Sequence, residues 1–129
     1  MRAVTYDGLV ERYKEFYMEI KKQNNMKTFK DLEFIDHPMG AEVGGIMSRI
    51  YFDNGYGASI VQSQFSYGGK IGLYELAILD EEGHVCYTTP ITDKVIGYLR
   101  EEDVSEVMIR IQNLPTIENT NTDNSSTTK

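Results

Sequence analysis

The chain holds one cysteine, two histidines, three prolines and no tryptophan in 129 residues. With Cys86 alone, no disulfide can form within the chain, so the fold is expected to stand on its own core in a reducing compartment. Soft metal donors are equally scarce. His84 and Cys86 lie two apart, on one face of a strand, but a tetrahedral site needs two further ligands that only a distant His37 and a carboxylate could supply. No metal and no cofactor are therefore expected. No stretch approaches the ~20 apolar residues that cross a bilayer, and the segment from Met1 to Asp7 lacks the apolar centre of a secretory signal, so no membrane association is expected. Positive charge is in deficit, with 13 Lys and Arg against 20 Asp and Glu and a net charge of −7. On that balance direct nucleic-acid binding is not expected, since affinity for a phosphate backbone comes from several Lys or Arg set against it.

The signatures of catalysis are also absent. No G-x-S-x-G elbow occurs, and Cys86 sits in an apolar run, not at an electropositive helix start. Gly68-Gly69-Lys70 resembles the end of a phosphate-binding loop, yet the first glycine of that motif is missing and Ile71 stands where a magnesium-holding hydroxyl belongs. The acidic clusters Glu81-Glu82 and Glu101-Glu102-Asp103 fall at a turn and at a helix start, where carboxylates are solvated and not held apart in a cleft with separated pKa values. An enzyme is not expected.

What the chain does contain fits one α+β domain, of a size that buries about two-thirds of its unfolded surface. Leu9, Val10, Tyr13, Phe16, Tyr17 and Ile20 recur at helical spacing and predict a helix over 7–23, its stripe packed on the core. Thr28 with Asp31 predicts one capped helical turn through Leu32. Ile46 to Phe52 and Ala58 to Phe65 read as strands joined by Asp53-Asn54-Gly55, residues tolerant of left-handed backbone. Gly68-Gly69 separates these from a third strand, Leu73 to Leu79. The turn Asp80-Glu81-Glu82-Gly83 leads to a fourth, Val85 to Thr88, halted by Pro90. Thr92 then caps a short helix through Leu99, with Asp93 in its first turn, and a last helix opens at Glu101 and closes at Leu114-Pro115. The expectation is a small antiparallel sheet of about four strands, with an N-terminal helix and C-terminal helices packed on one face. Residues 1–30 form the helical segment, 31–115 the α+β core, and 116–129 a disordered polar tail without apolar residues beyond Ile117.

Charge and aromatics are unevenly placed. Residues 1–30 carry +3, whereas 31–129 carry −10, which reads either as a solvated, soluble surface or as electrostatic attraction to a basic partner surface. Nine tyrosines and five phenylalanines supply the aromatic surface, and several tyrosines adjoin glycine. A tyrosine ring combines a large rigid face with a hydroxyl, and a neighbouring glycine lets a partner approach the backbone. Tyr56, Tyr67 and Lys70 are the leading candidate binding edge. Arg49 is a second candidate phosphate contact beside a stacking tyrosine. Asn54 at the hairpin turn, and Thr92 and Asp93 at the expected helix start, complete the candidate set. The stripe of 7–23 and the edge strands make a homo-oligomer possible.

Leu32-Glu33-Phe34 with His37-Pro38-Met39-Gly40, Phe52-Asp53-Asn54-Gly55-Tyr56-Gly57-Ala58-Ser59-Ile60-Val61, Ser66-Tyr67-Gly68, Gly72-Leu73-Tyr74-Glu75-Leu76-Ala77, Cys86-Tyr87, and Thr89-Pro90-Ile91-Thr92-Asp93 with Val95-Ile96-Gly97 occur in that order. Together, over about 32–114, they resemble a family of small proteins encoded by tailed bacteriophages. The resemblance implies an origin and brings no activity with it. By analogy with small phage proteins that work outside the virion, the expected function is stoichiometric. The chain would bind and inhibit a host or anti-phage defence protein in the host cytoplasm. The alternatives are a sponge for a small nucleotide signal of a defence system, and a minor virion or assembly protein.

Overall fold

The structure is a computed structural model, and it describes residues 10–16, 18–19, 25–39 and 44–117. It is an α+β fold whose five-stranded antiparallel sheet runs in chain order, β1 (Ile35–Asp36), β2 (Gly45–Tyr51), β3 (Gly57–Ser63), β4 (Tyr74–Leu79) and β5 (Ile96–Leu99). The β2–β3 hairpin forms where the turn chemistry places it. Gly55 takes φ 94°, its N–H bonds the Phe52 carbonyl at 3.1 Å, and the Phe52 N–H returns to the Tyr56 carbonyl at 2.8 Å.

Register decides which face is buried. Ser48, Ile60, Leu76 and Ile96 stand in one row across the sheet, and Ile50, Ala58 and Ile78 in the next. The helix Glu101–Gln112 lays Val104, Met108 and Ile111 over these rows, and all three are fully buried with Ile60, Leu76 and Ile78. The first turn of that helix holds Glu101, Glu102 and Asp103, where negative charge meets the positive end of the helix dipole. Phe29, Phe34 and Tyr74 close one margin of the core, with ring centroids 5.2 to 5.8 Å apart. On the opposite face the small residues of β3 are covered from β2. A Cβ at Gly57 would come within 2.7 Å of Tyr51 Cδ1, and Ser59, beside Ala58, is buried.

Several expectations need correction. Among the described residues the antiparallel sheet expected with about four strands has five, and one C-terminal helix follows it. Val85 to Thr88 is not a strand: Val85 makes a single bridge to Leu79, and the Cys86 N–H reaches the Ile78 carbonyl at 2.7 Å. Beyond that point the same edge of β4 is occupied by β5, which pairs Leu76 with Ile96 and Tyr74 with Leu99. The helix expected from Thr92 to Leu99 is replaced by β5. Thr92 Oγ1 accepts the Lys94 N–H at 3.0 Å and donates to the Lys94 carbonyl at 3.0 Å, a local turn that starts no helix. An unpaired β4 edge and the β-branched Val95-Ile96 outweigh the cap signal.

Of the helix expected over 7–23, the described residues 10–16 and 18–19 are helical and the rest lie outside the described residues. Tyr13, Phe16 and Met18 are exposed there, so these side chains do not pack on the core. The turn at Phe29–Asp31 forms, with the Thr28 N–H bonded to Asp31 Oδ2 at 2.8 Å. The tail from 118 lies outside the described residues. No described helix is long and apolar enough to cross a membrane.

Candidate functional site

The end of the sheet where β3 leaves, β4 enters and β5 arrives is tied by a dense set of short-range bonds. Ser66 Oγ accepts the Ser63 N–H at 2.9 Å and donates to the Ser63 carbonyl at 3.0 Å. The Gly68 carbonyl accepts from Ile71 at 3.1 Å and Leu73 at 2.9 Å, and Gly69 N–H donates to the Ser66 carbonyl at 3.1 Å. Glycine is required at two points. Gly68 lies at φ 92°, and at Gly69 a Cβ would collide with the Ser63 carbonyl oxygen. The loop is thereby fixed from both ends.

β5 is fastened to this loop. The Tyr98 N–H donates to the Tyr67 carbonyl at 3.1 Å, the Tyr67 N–H donates to Glu75 Oε1 at 2.8 Å, and Gly97 lies so close to the Tyr67 side chain that no Cβ fits. Between its pairs with Leu76 and Tyr74, β5 advances from Ile96 to Leu99, three steps against two on β4. The extra residue makes a β-bulge, and Tyr98 within it sits at φ 59°, the one described residue other than glycine with positive φ. A tyrosine held in that region costs about 1–2 kcal/mol. Its ring is turned to solvent.

The consequence is an apolar corner. Tyr67 is 59% exposed, Ile71 71% and Tyr98 61%, with the exposed Lys70 among them, while Phe65, 75% exposed, lines the neighbouring cavity with His37, Val61 and Glu75. Gln64, Ser66, Gly68, Lys70, Ile71 and Tyr98 enclose a shallow cavity of about 310 Å³.

Of the residues singled out from sequence, Tyr67 and Lys70 share this corner and the others do not. Tyr56 stands at the far end of the seven-residue β3, about 20 Å away at strand rise, half-buried against the core. Asn54 is buried, and its amide works inside the fold, donating to the Ile111 carbonyl at 2.8 Å and the Leu114 carbonyl at 3.0 Å. Arg49 lies on β2, and its guanidinium reaches across the sheet toward Gly83, where a Cβ would be 3.6 Å from Nη1. Thr92 and the exposed Asp93 belong to the loop before β5. Sequence reasoning passed over Phe65, Ile71 and Tyr98. Two of them flank the glycine pair as apolar residues in a polar loop, and that was the available signal.

The perturbed titrating groups serve the fold. Asp31 is held below the usual carboxylate range by the Thr28 N–H, with Lys30 adding to it, and Asp103 by the Arg100 N–H and then its guanidinium, at 3.2 Å. Burial pushes the Tyr74 hydroxyl up, and the charge of Glu101 adds to this. Among the described residues no three His, Cys, Asp or Glu side chains converge on a metal position. Cys86 Sγ lies 3.5 Å from Thr88 Oγ1.

No protein-family model, no curated protein and no solved structure matches the chain.

Proposed function

We propose that this chain is a non-enzymatic phage accessory protein that binds and inhibits a host or anti-phage defence protein, with the corner of Phe65, Tyr67, Ile71 and Tyr98 as its main contact. The observation that carries this reading is the pairing of rigidity with exposure. Three large apolar side chains face water from a loop tied by many short-range hydrogen bonds, and a fourth, Tyr98, faces water from a strained bulge of β5 bonded to that loop. Rigid aromatic residues lose little entropy on binding and dominate protein interfaces. Strain in a backbone persists where the surroundings enforce it, and such positions concentrate at binding sites. The acidic body adds long-range attraction to a basic partner.

Affinity capture from host lysate tests this. The wild type should retain one host protein, in a complex weakened by salt, and Ile71→Asp or Tyr67→Ala should lose it while keeping the wild-type circular dichroism. Capture unchanged in both variants, or no protein captured, overturns the reading. A second reading has its own observation: Lys70 and Tyr98 line one cavity of about 310 Å³, an arrangement suited to a phosphate and a stacked base. Native mass spectrometry against cyclic and linear nucleotides separates the two, because only a nucleotide sponge would retain such a ligand.

A further inference from the structure

The outer edge of β2 is only partly covered. β1 pairs with it at Ile46 and Met47 alone, and the His37 N–H donates to the Gly45 carbonyl at 2.8 Å. In an antiparallel ladder a residue turns its N–H and its C=O to the same side, and successive residues alternate. Gly45 faces β1, so Met47, Arg49 and Tyr51 face the same way, while Phe52, bonded to Tyr56, faces β3. Past Met47 no described strand pairs with this edge, and the main-chain polar groups of Arg49 and Tyr51 point outward.

Two further observations fall at the same place. A cavity of about 510 Å³ lies beside the edge, lined by Glu33, Ile35, Pro38, Met47, Ser48 and Arg49. Ser48 is 2% exposed and its Oγ has no hydrogen-bond partner. A buried hydroxyl left unbonded destabilises a fold that alanine would suit as well, so its presence in a cavity wall points to a group that arrives from outside.

We infer that an extended peptide segment of a partner protein adds here as a sixth strand, pairing its main chain with Arg49 and Tyr51 and placing a polar atom against Ser48 Oγ. Charge selects the segment. Glu33 and Asp36 are exposed along this margin and enter no ion pair among the described residues, while the Arg49 guanidinium is turned across the sheet toward Gly83. The incoming strand carries lysine or arginine. This inference rests on the partner-binding reading and adds to it the mode of contact and the charge of the contacting segment.

The test uses the full chain, isotope-labelled for amide-resolved NMR, and two capped hexapeptides, alternating Lys-Val and alternating Glu-Val. The Lys-Val peptide should slow amide exchange at Arg49 and Tyr51 by at least tenfold at saturation, and the Glu-Val peptide should bind more weakly. Arg49→Pro removes an outward donor that the fold does not use and should abolish the protection at Tyr51, whereas Arg49→Ala, which keeps the N–H, should retain it. Ser48→Ala should melt no lower than wild type and bind the Lys-Val peptide several-fold more weakly. No protection with either peptide, or equal protection in Arg49→Pro, overturns strand addition. If the lysate partner is still captured through the corner, only strand addition falls; if capture fails too, the partner-binding reading falls with it.

Discussion

Lys27 and Gln112, 85 positions apart, exchange a reciprocal pair of hydrogen bonds: the Lys27 N–H donates to Gln112 Oε1 at 2.9 Å, and Gln112 Nε2 donates to the Lys27 carbonyl at 2.8 Å. A side-chain amide thus copies what a strand neighbour would offer, and it moors the segment before the Phe29–Asp31 turn to the last turn of the helix. The Phe29 N–H bonded to Ser105 Oγ at 2.9 Å adds a second mooring about two turns earlier on the same helix face.

Gln112→Ala should therefore loosen that segment first. Losing both bonds to Lys27, together with the one from Gln112 Nε2 to the Met108 carbonyl, is expected to lower stability by about 1–2 kcal/mol, read as a shift in the urea midpoint at unchanged slope. Amide exchange at Lys27 should accelerate while Ile60 and Leu76 in the core stay slow. Equal acceleration at all three would mean that the two bonds hold the whole molecule and not one segment.

Asn54 ties the hairpin turn to the same end of the helix, donating to the Ile111 and Leu114 carbonyls while its Oδ1 accepts the Tyr56 N–H at 3.2 Å. Asn54→Ala leaves the Leu114 carbonyl without its donor and the Ile111 carbonyl with the Leu114 N–H alone, and should cost about 1–3 kcal/mol. Asn54→Asp should be worse at neutral pH, since it sets a carboxylate against the same oxygens, and should recover in part in mild acid as the carboxyl gains a proton. Thermal melts of the three proteins at pH 7 and pH 5 check the order. An aspartate variant as stable as wild type at pH 7 would contradict the role assigned to the amide.

The sequence suffices for the hairpin and the last helix because local chemistry decides both: Asp53-Asn54-Gly55 supplies the turn, and the stripe of Val104, Met108 and Ile111 supplies one buried face. It misleads over 92–99 because Thr92-Asp93 reads as a helix start, while the demand that wins, a partner for the edge of β4, comes from residues about twenty positions earlier. Asn54 is readable as a turn residue, but its partners at Ile111 and Leu114 are long-range and leave no local trace. Tyr67 and Lys70 stand out through the adjoining glycines. Tyr98 does not, since its exposure arises from a bulge that exists only once β5 has paired.

Acid should unfold the protein in part through two caps. Asp31 and Asp103 are held below the ordinary carboxylate value of about 3.9 in the folded state by the N–H groups of Thr28 and Arg100. As pH falls, the unfolded chain takes up these protons first, so the caps stabilise fully above that value and fade below it. The double variant Asp31→Ala, Asp103→Ala should be less stable than wild type at pH 7, and the gap should narrow between about pH 5 and about pH 2. Urea midpoints across that range measure it, and a gap independent of pH would show that the carboxylate charge plays no part.

Tyr98 offers the sharpest separation of stability from function. Its φ of 59° suits glycine, and the side chain touches water over 61% of its surface, so the residue contributes strain and little packing. Tyr98→Gly should raise stability by about 1 kcal/mol, seen as a higher melting temperature, while removing one wall of the corner. A position kept only for folding would not behave in this way: either the variant would melt lower, or it would melt higher and still capture the host protein. If the corner is the contact, Tyr98→Gly melts higher and captures less, and Tyr98→Phe, which keeps the ring, melts like the wild type and captures as well.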